Sequence, residues 1–178
     1  MSDKNKQPDA QSYLDNLEKA RSINFNKIEF SNCIQVTKDA DSNAVILFIP
    51  KLCFDANKGT PEEELVQKML LYFIKVSNDL VQEQYSIIYC HTSMSILSQR
   101  SIIYDYYKMM PRRYKKNLKY LYIVHPQLSI KLFFEFTRVF LSSKFYSKLH
   151  YINSVQQLQS VFIPGYGDSL RLPANFLY

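Results

Sequence analysis

Three cysteines and three histidines are the residues with which this chain could do nucleophilic or metal chemistry: Cys33, Cys53, Cys90, His91, His125 and His150. A thiol nucleophile needs a base within hydrogen-bond reach, and a zinc site needs ligands at spacings such as CxxC. Neither pattern is present. Cys90 and His91 are adjacent, but successive side chains on a strand point to opposite faces, so the pair cannot act on one proton. An odd number of cysteines set in apolar segments reads as reduced, buried thiols. His125 precedes Pro126 and reads as a strand-end hydrogen-bonding residue. No GxSxG elbow presents a serine. The one GxG, Gly165-Tyr166-Gly167, has no strand before it, whereas a phosphate loop sits between a strand and a helix. The chain is therefore expected not to be an enzyme and to need no cofactor or metal.

Charge is the second resource. Residues 1–105 carry 11 Lys/Arg against 14 Asp/Glu, and residues 106–178 carry 11 against 2. Between Tyr106 and Phe134 there is no acid, while Lys108, Arg112, Arg113, Lys115, Lys116 and Lys119 crowd together as a candidate basic surface. Three readings stay open: a solvated helix end whose cations complement the helix dipole, a nucleic-acid surface, and a patch for an anionic membrane or an acidic protein partner. Nucleic acid is disfavoured, because no RNP-like, helix-turn-helix or zinc-knuckle pattern accompanies the cations.

The third resource is apolar. In "QLSIKLFFEFTRVFL" the residues Leu128, Ile130, Leu132, Phe133, Phe134, Phe136, Val139, Phe140 and Leu141 cover most of a helix. Such a helix is either sandwiched in a core or lies over an apolar cavity or a membrane surface.

The elements that must position these groups follow from periodicity. "SYLDNLEKA" is a short amphipathic helix that covers a core or docks on a partner. "KIEFSNCIQV" alternates Ile28, Phe30, Ile34 and Val36 as a strand with one wet face, and "AVILFIP" is a strand buried on both faces. Thr60 is a candidate N-cap for a helix with Pro61 in its first turn and three glutamates at its positive end. "YSIIYCH" is a strand, Ser98 to Met110 a helix ended by Pro111, and "LKYLYIVH" a third apolar strand. "SSKFYSKL", a strand in "LHYINS" and a short helix "VQQLQSV" complete the order. Strands alternating with helices imply an α/β sheet with largely parallel pairing.

At 178 residues, 47% hydrophobic and 15% aromatic, the chain has the material for one domain with a tyrosine- and phenylalanine-rich core. No apolar run approaches the roughly 18 to 20 residues that span a bilayer, and the first residues lack the apolar segment of a signal peptide and the character of a transit peptide. The expected location is cytoplasmic or another intracellular compartment.

The order of elements resembles a known family. "YKKNLKYLYIVHPQLSIKLFFEFTRVFLSSKFYSKLHYINSVQQL", from Tyr114 to Leu158, resembles the second half of CRAL-TRIO domains, particularly the BCH subgroup of Rho GTPase-activating and scaffold proteins, and "NAVILFIP" and "YSIIYCHTSM" sit where the family's first central strands belong. The resemblance implies an α/β fold, a CRAL-TRIO-like mixed, largely parallel sheet flanked by helices. It implies a gate helix over a hydrophobic pocket, carried here by Leu128, Leu132, Phe133, Phe136 and Phe140. The N-terminal helical bundle usual in lipid-transfer members is expected to have no room here beyond one helix, and no GTPase-activating domain is expected to follow. The expected division is 1–22 polar tail and short helix, 23–162 CRAL-TRIO-like domain, and 163–178 irregular tail. The expected function is that of a non-catalytic protein-interaction subunit or scaffold with protein partners in a larger assembly. The alternative is binding or transfer of a phospholipid or other hydrophobic ligand beneath the gate helix, with peripheral contact at an anionic membrane.

Overall fold

The computed structural model describes residues 10–25, 30, 32–39, 41–90, 102, 105–139, 141–154 and 156–158. Five strands form one sheet: β1 (Ile34–Lys38), β2 (Ala44–Phe48), β3 (Tyr85–Cys90), β4 (Leu118–Val124) and β5 (Leu149–Ile152). Their spatial order is their chain order; β1 pairs antiparallel with β2, and every later pairing is parallel. The expected mixed, largely parallel sheet is the one observed. Parallel neighbours need crossovers, and helices supply them. α1 (Ala10–Ser22) precedes the sheet; α2 (Pro50–Ala56) and α3 (Glu62–Ser77) link β2 to β3; α4 (Arg112–Asn117) leads into β4; and α5 (Leu128–Thr137) and α6 (Ser143–Tyr146) lead into β5.

β3 is buried along its whole length, as the apolar run "YSIIYC" requires at the centre of a two-sided sheet. One side of the sheet packs against α1, α3 and α5 through a large cluster that includes Tyr13, Leu17, Phe48, Phe73, Tyr85, Tyr89, Phe134 and Phe145. The other side is smaller and aliphatic, with Val45, Leu47, Ile49, Ile88 and Val124. α1 lays Tyr13, Leu17 and Ala20 into the larger cluster, while Leu14 faces solvent. Tyr13 donates to Asn78 Oδ1 at 3.2 Å and meets the Tyr114 ring edge-on at 5.1 Å, tying the first helix to the end of α3 and to α4.

Several elements differ from the sequence reading. The strand expected through Phe30 begins only at Ile34, because Phe30 is helical and residues 32–33 turn. Residue 28 lies outside the described residues. α2, inside "PKLCFDA", was not anticipated: Pro50 ends the ladder of β2 and pre-sets the first turn of a helix. Thr60 does not cap α3. Pro61 holds the N-cap position with no side-chain cap, and Glu62, Glu63 and Glu64 lie in the first turn. Of the helix expected over residues 98–110, residues 102 and 105–110 are described; 102 and 105–109 are helical, and Met110 is already a bend. β4 carries a bulge: Tyr85 pairs with Leu118 but Ser86 pairs with Tyr120, so Lys119 is the extra residue. At the end of β4, His125 takes φ 51°, a left-handed turn that side-chain-bearing residues adopt at a cost, and it swings the chain out of the sheet toward α5.

Candidate functional site

Among the described residues, the space against the buried sheet face is closely packed with rings. An apolar cavity of about 40 Å3 remains, bordered by Phe48, Tyr85, Tyr89, Tyr106, Tyr107 and Phe145 among others. That volume holds a few waters at most, whereas pockets for drug-sized ligands run to roughly 300–1,000 Å3. Phe73 and Tyr106 meet edge-on at 4.3 Å, and Phe48 contacts both Phe73 at 5.3 Å and Tyr89 at 5.8 Å. Burial pushes the Tyr85 and Tyr89 phenols far above their ordinary range.

The residues expected to form a pocket beneath α5 are not the ones that border this cavity. Leu128, Leu132, Phe136 and Val139 are 71%, 45%, 77% and 88% exposed. Spaced by four, four and three residues, they form one outward stripe. The inward face is Ile130 and Phe134, both fully buried, with Phe133 half-buried beside them. Phe134 stacks toward Phe145 at 6.0 Å, and Tyr146 donates its hydroxyl to the Phe134 carbonyl. Phe140 lies outside the described residues. The helix is therefore half core and half apolar surface.

The six cations expected as one basic surface divide among separate neighbourhoods. Lys119, carried on the bulge, reaches across to Asp41 Oδ2 at 2.9 Å and Asp39 Oδ2 at 3.4 Å in the β1–β2 turn. Asp39 is also fixed by the Asn43 amide at 2.9 Å, and these bonds outweigh burial to hold its carboxyl below the usual range. Arg113 donates to Gln82 Oε1 and lies 5.5 Å from the Tyr114 ring centroid. Lys108 faces another concavity with Asn16, Lys19 and Asp105. Arg112, Lys115 and Lys116 alone share a site.

That site is a cleft of about 700 Å3 whose opposite wall the sequence reading did not include: Lys144 and Lys148, with Ser142 and Ser143, complete it, and Tyr107 and Phe145 form its floor. Lys148 Nζ donates to the carbonyls of Lys115 and Lys116 at 3.2 and 3.1 Å, which pins one wall to the other. Lys115 Nζ sits 4.2 Å from the Tyr107 ring centroid. Burial there pulls the Lys115 ammonium down to about 8, and burial followed by repulsion from Lys144 lowers Lys148. None of the described lining residues is acidic. The sequence signal was the second lysine-rich stretch "SSKFYSKL", 30 residues downstream and invisible as a partner until β5 aligns beside β4.

Cys33, Cys53 and Cys90 are free and buried, and Cys33 lies against Cys53. His91 lies outside the described residues. His150 stands on β5 beside the rings of Tyr120 and Tyr122, at 5.3 and 5.5 Å, and Tyr122 belongs to the buried cluster that also holds Cys90. Among the described residues no group of three or more His, Cys, Asp or Glu side chains is placed to hold a metal, and no helix is long and apolar enough to cross a membrane.

The fold and these surfaces have known counterparts. The family described as "Divergent CRAL/TRIO domain" matches residues 42–177, and this chain belongs to it. Rho GTPase-activating protein gacY of Dictyostelium discoideum is 36% identical over 153 residues, covering 84% of this chain and 20% of that protein. Caytaxin of Mus musculus is 34% identical over 120 residues, covering 66% of this chain and 32% of that protein. The chain thus spans a fifth to a third of these relatives. The crystal structure of Sfh5 superposes with a TM-score of 0.62 at 16% identity over 93% of this chain and 66% of that one, a likeness of fold. The family's domains serve binding rather than catalysis.

Proposed function

We propose that the chain is a non-catalytic protein-interaction domain or scaffold subunit that works within a larger assembly. The observation that supports this reading is the tight packing of rings at the sheet: the apolar cavity that the described residues border there measures about 40 Å3, small for a lipid. Binding energy is then available only at the surface, where the outward stripe of α5 and the cationic cleft supply apolar and electrostatic contacts. The Rho GTPase-activating relative makes small GTPases a partner class to screen. Native mass spectrometry of the gently purified protein tests the reading: a lipid-free mass with protein partners retained is expected, and a stoichiometric lipid would overturn it.

A second reading is favoured by the exposed stripe itself. Leu128, Leu132, Phe136 and Val139 in water resemble a surface that enters a bilayer, with nearby cations meeting anionic headgroups. On that reading α5 opens to admit a hydrophobic ligand, and the same mass spectrum would show it.

A further inference from the structure

The cleft between α4 and the segment from Ser142 to Lys148 gathers Arg112, Lys115, Lys116, Lys144 and Lys148. Among the described residues none of these five cations makes a salt bridge, although Lys51, Lys68, Lys119 and Arg138 all do. Lys148 feels repulsion from Lys144, so the fold places like charges together here against their own field. It does so by covalent placement on two walls and by the Lys148 bonds to the α4 carbonyls. The cluster is thus built before any ligand arrives. Its shape selects among anions. Arg112, Lys116 and Lys144 are exposed at the rim, whereas Lys115 and Lys148 are recessed and half-buried. A flat bilayer would meet the rim and leave the recessed pair unneutralised. A single small anion would leave most of about 700 Å3 empty. A chain carrying several carboxylates can reach both levels, and the Tyr107 and Phe145 rings, edge-on at 4.9 Å, offer its apolar side chains a floor.

We infer that this cleft docks an acidic segment of a protein partner, an extended stretch rich in aspartate and glutamate with an apolar or aromatic residue among them. The inference rests on the interaction-domain reading above and assigns it a partner chemistry.

The test is fluorescence anisotropy with the full chain and a short fluorescein-labelled peptide of glutamate and aspartate around one phenylalanine. Two double variants carry the same change in net charge. Lys116→Glu with Lys144→Glu strikes the rim of the cleft, and Lys19→Glu with Lys58→Glu strikes exposed lysines elsewhere; circular dichroism checks that both fold. Lys148 is left intact because its bonds hold the walls. Saturable binding that weakens with salt, falls about tenfold or more in the cleft variant and less than about twofold in the other is the expected result. Equal losses in the two variants would reduce the effect to overall charge and overturn the proposal. So would cleft-dependent binding to phosphatidylcholine–phosphatidylserine vesicles by a protein that ignores the peptide, since the ligand would then be a membrane. A native mass spectrum of the same preparation separates the two levels: a lipid-free protein that ignores the peptide sinks the cleft assignment alone, and a stoichiometric lipid sinks the interaction-domain reading beneath it.

Discussion

The two faces of α5 have almost the same chemistry and opposite fates. Ile130 and Phe134 are fully buried against the sheet, while Leu128, Leu132 and Phe136, with Val139 just past the helix end, are no less apolar and face water on the opposite side. The first group is explained by the core it completes. The second is not explained by folding at all, since exposing four large apolar side chains gains nothing for an isolated domain. What the helix teaches is that apolar content sums two requirements, one from the fold and one from whatever meets the outer face.

That difference can be broken most sharply by truncation. Phe134→Ala should cost about 3 to 5 kcal/mol in urea or thermal melts, whereas Phe136→Ala should stay within about 0.5 kcal/mol. Equal costs would mean that the outer face is folded against something in the free protein. The interior can also be probed by alkali. Tyr85 and Tyr89 have phenols raised well above their ordinary value of 10.0 by burial, so the unfolded chain releases their protons first. Their contribution is intact below about pH 10 and is lost as pH rises toward the folded values, so melts should fall steeply there; a flat profile would mean wetter rings than the core implies. The outer face should answer to partner binding instead: Leu132→Ser with Phe136→Ser should lower affinity for a co-purifying partner by about 2 kcal/mol or more if the stripe is a hot spot, with no loss in melting temperature. A small effect belongs to the paired cation outside the cleft. Lys119→Met should cost no more than about 1 kcal/mol. The Lys119 contribution through Asp39, whose carboxyl is depressed, should be present above the ordinary value of 3.8 and fade as pH falls through the lower folded one.

How far the sequence foretold this depends on whether a signal was local. α3 was legible because Pro61 and three glutamates announce a helix start within a few residues. The central strands were legible because "AVILF" and "YSIIYC" are continuous apolar runs. α2 was not, since a proline after an apolar strand reads as an ending before it reads as a beginning. The basic surface was half legible. Six cations adjacent in sequence diverge, because α4 turns each successive residue by about 100° and the bulge at Lys119 redirects one of them toward Asp41. The cations that replace them, Lys144 and Lys148, are brought in by strand pairing, which no local window contains. The same limit hid which side of α5 faces inward: a helix apolar almost all round has no phase to read, and the packing of Phe134 against Phe145 sets it.

The strand order of the sheet follows the order of the chain, and this has a consequence during synthesis. Each of β2 to β5 leaves the ribosome to find its neighbour already made, so the sheet extends from one edge without waiting for a later strand to be inserted between earlier ones. α1 alone breaks the sequence. Its Tyr13 bonds to Asn78, 65 residues later, which at roughly 5 to 20 residues per second leaves the first helix without its seat for several seconds or more. During that interval its apolar side is open to chaperones and to other nascent chains, and it is fixed only once α3 has followed it.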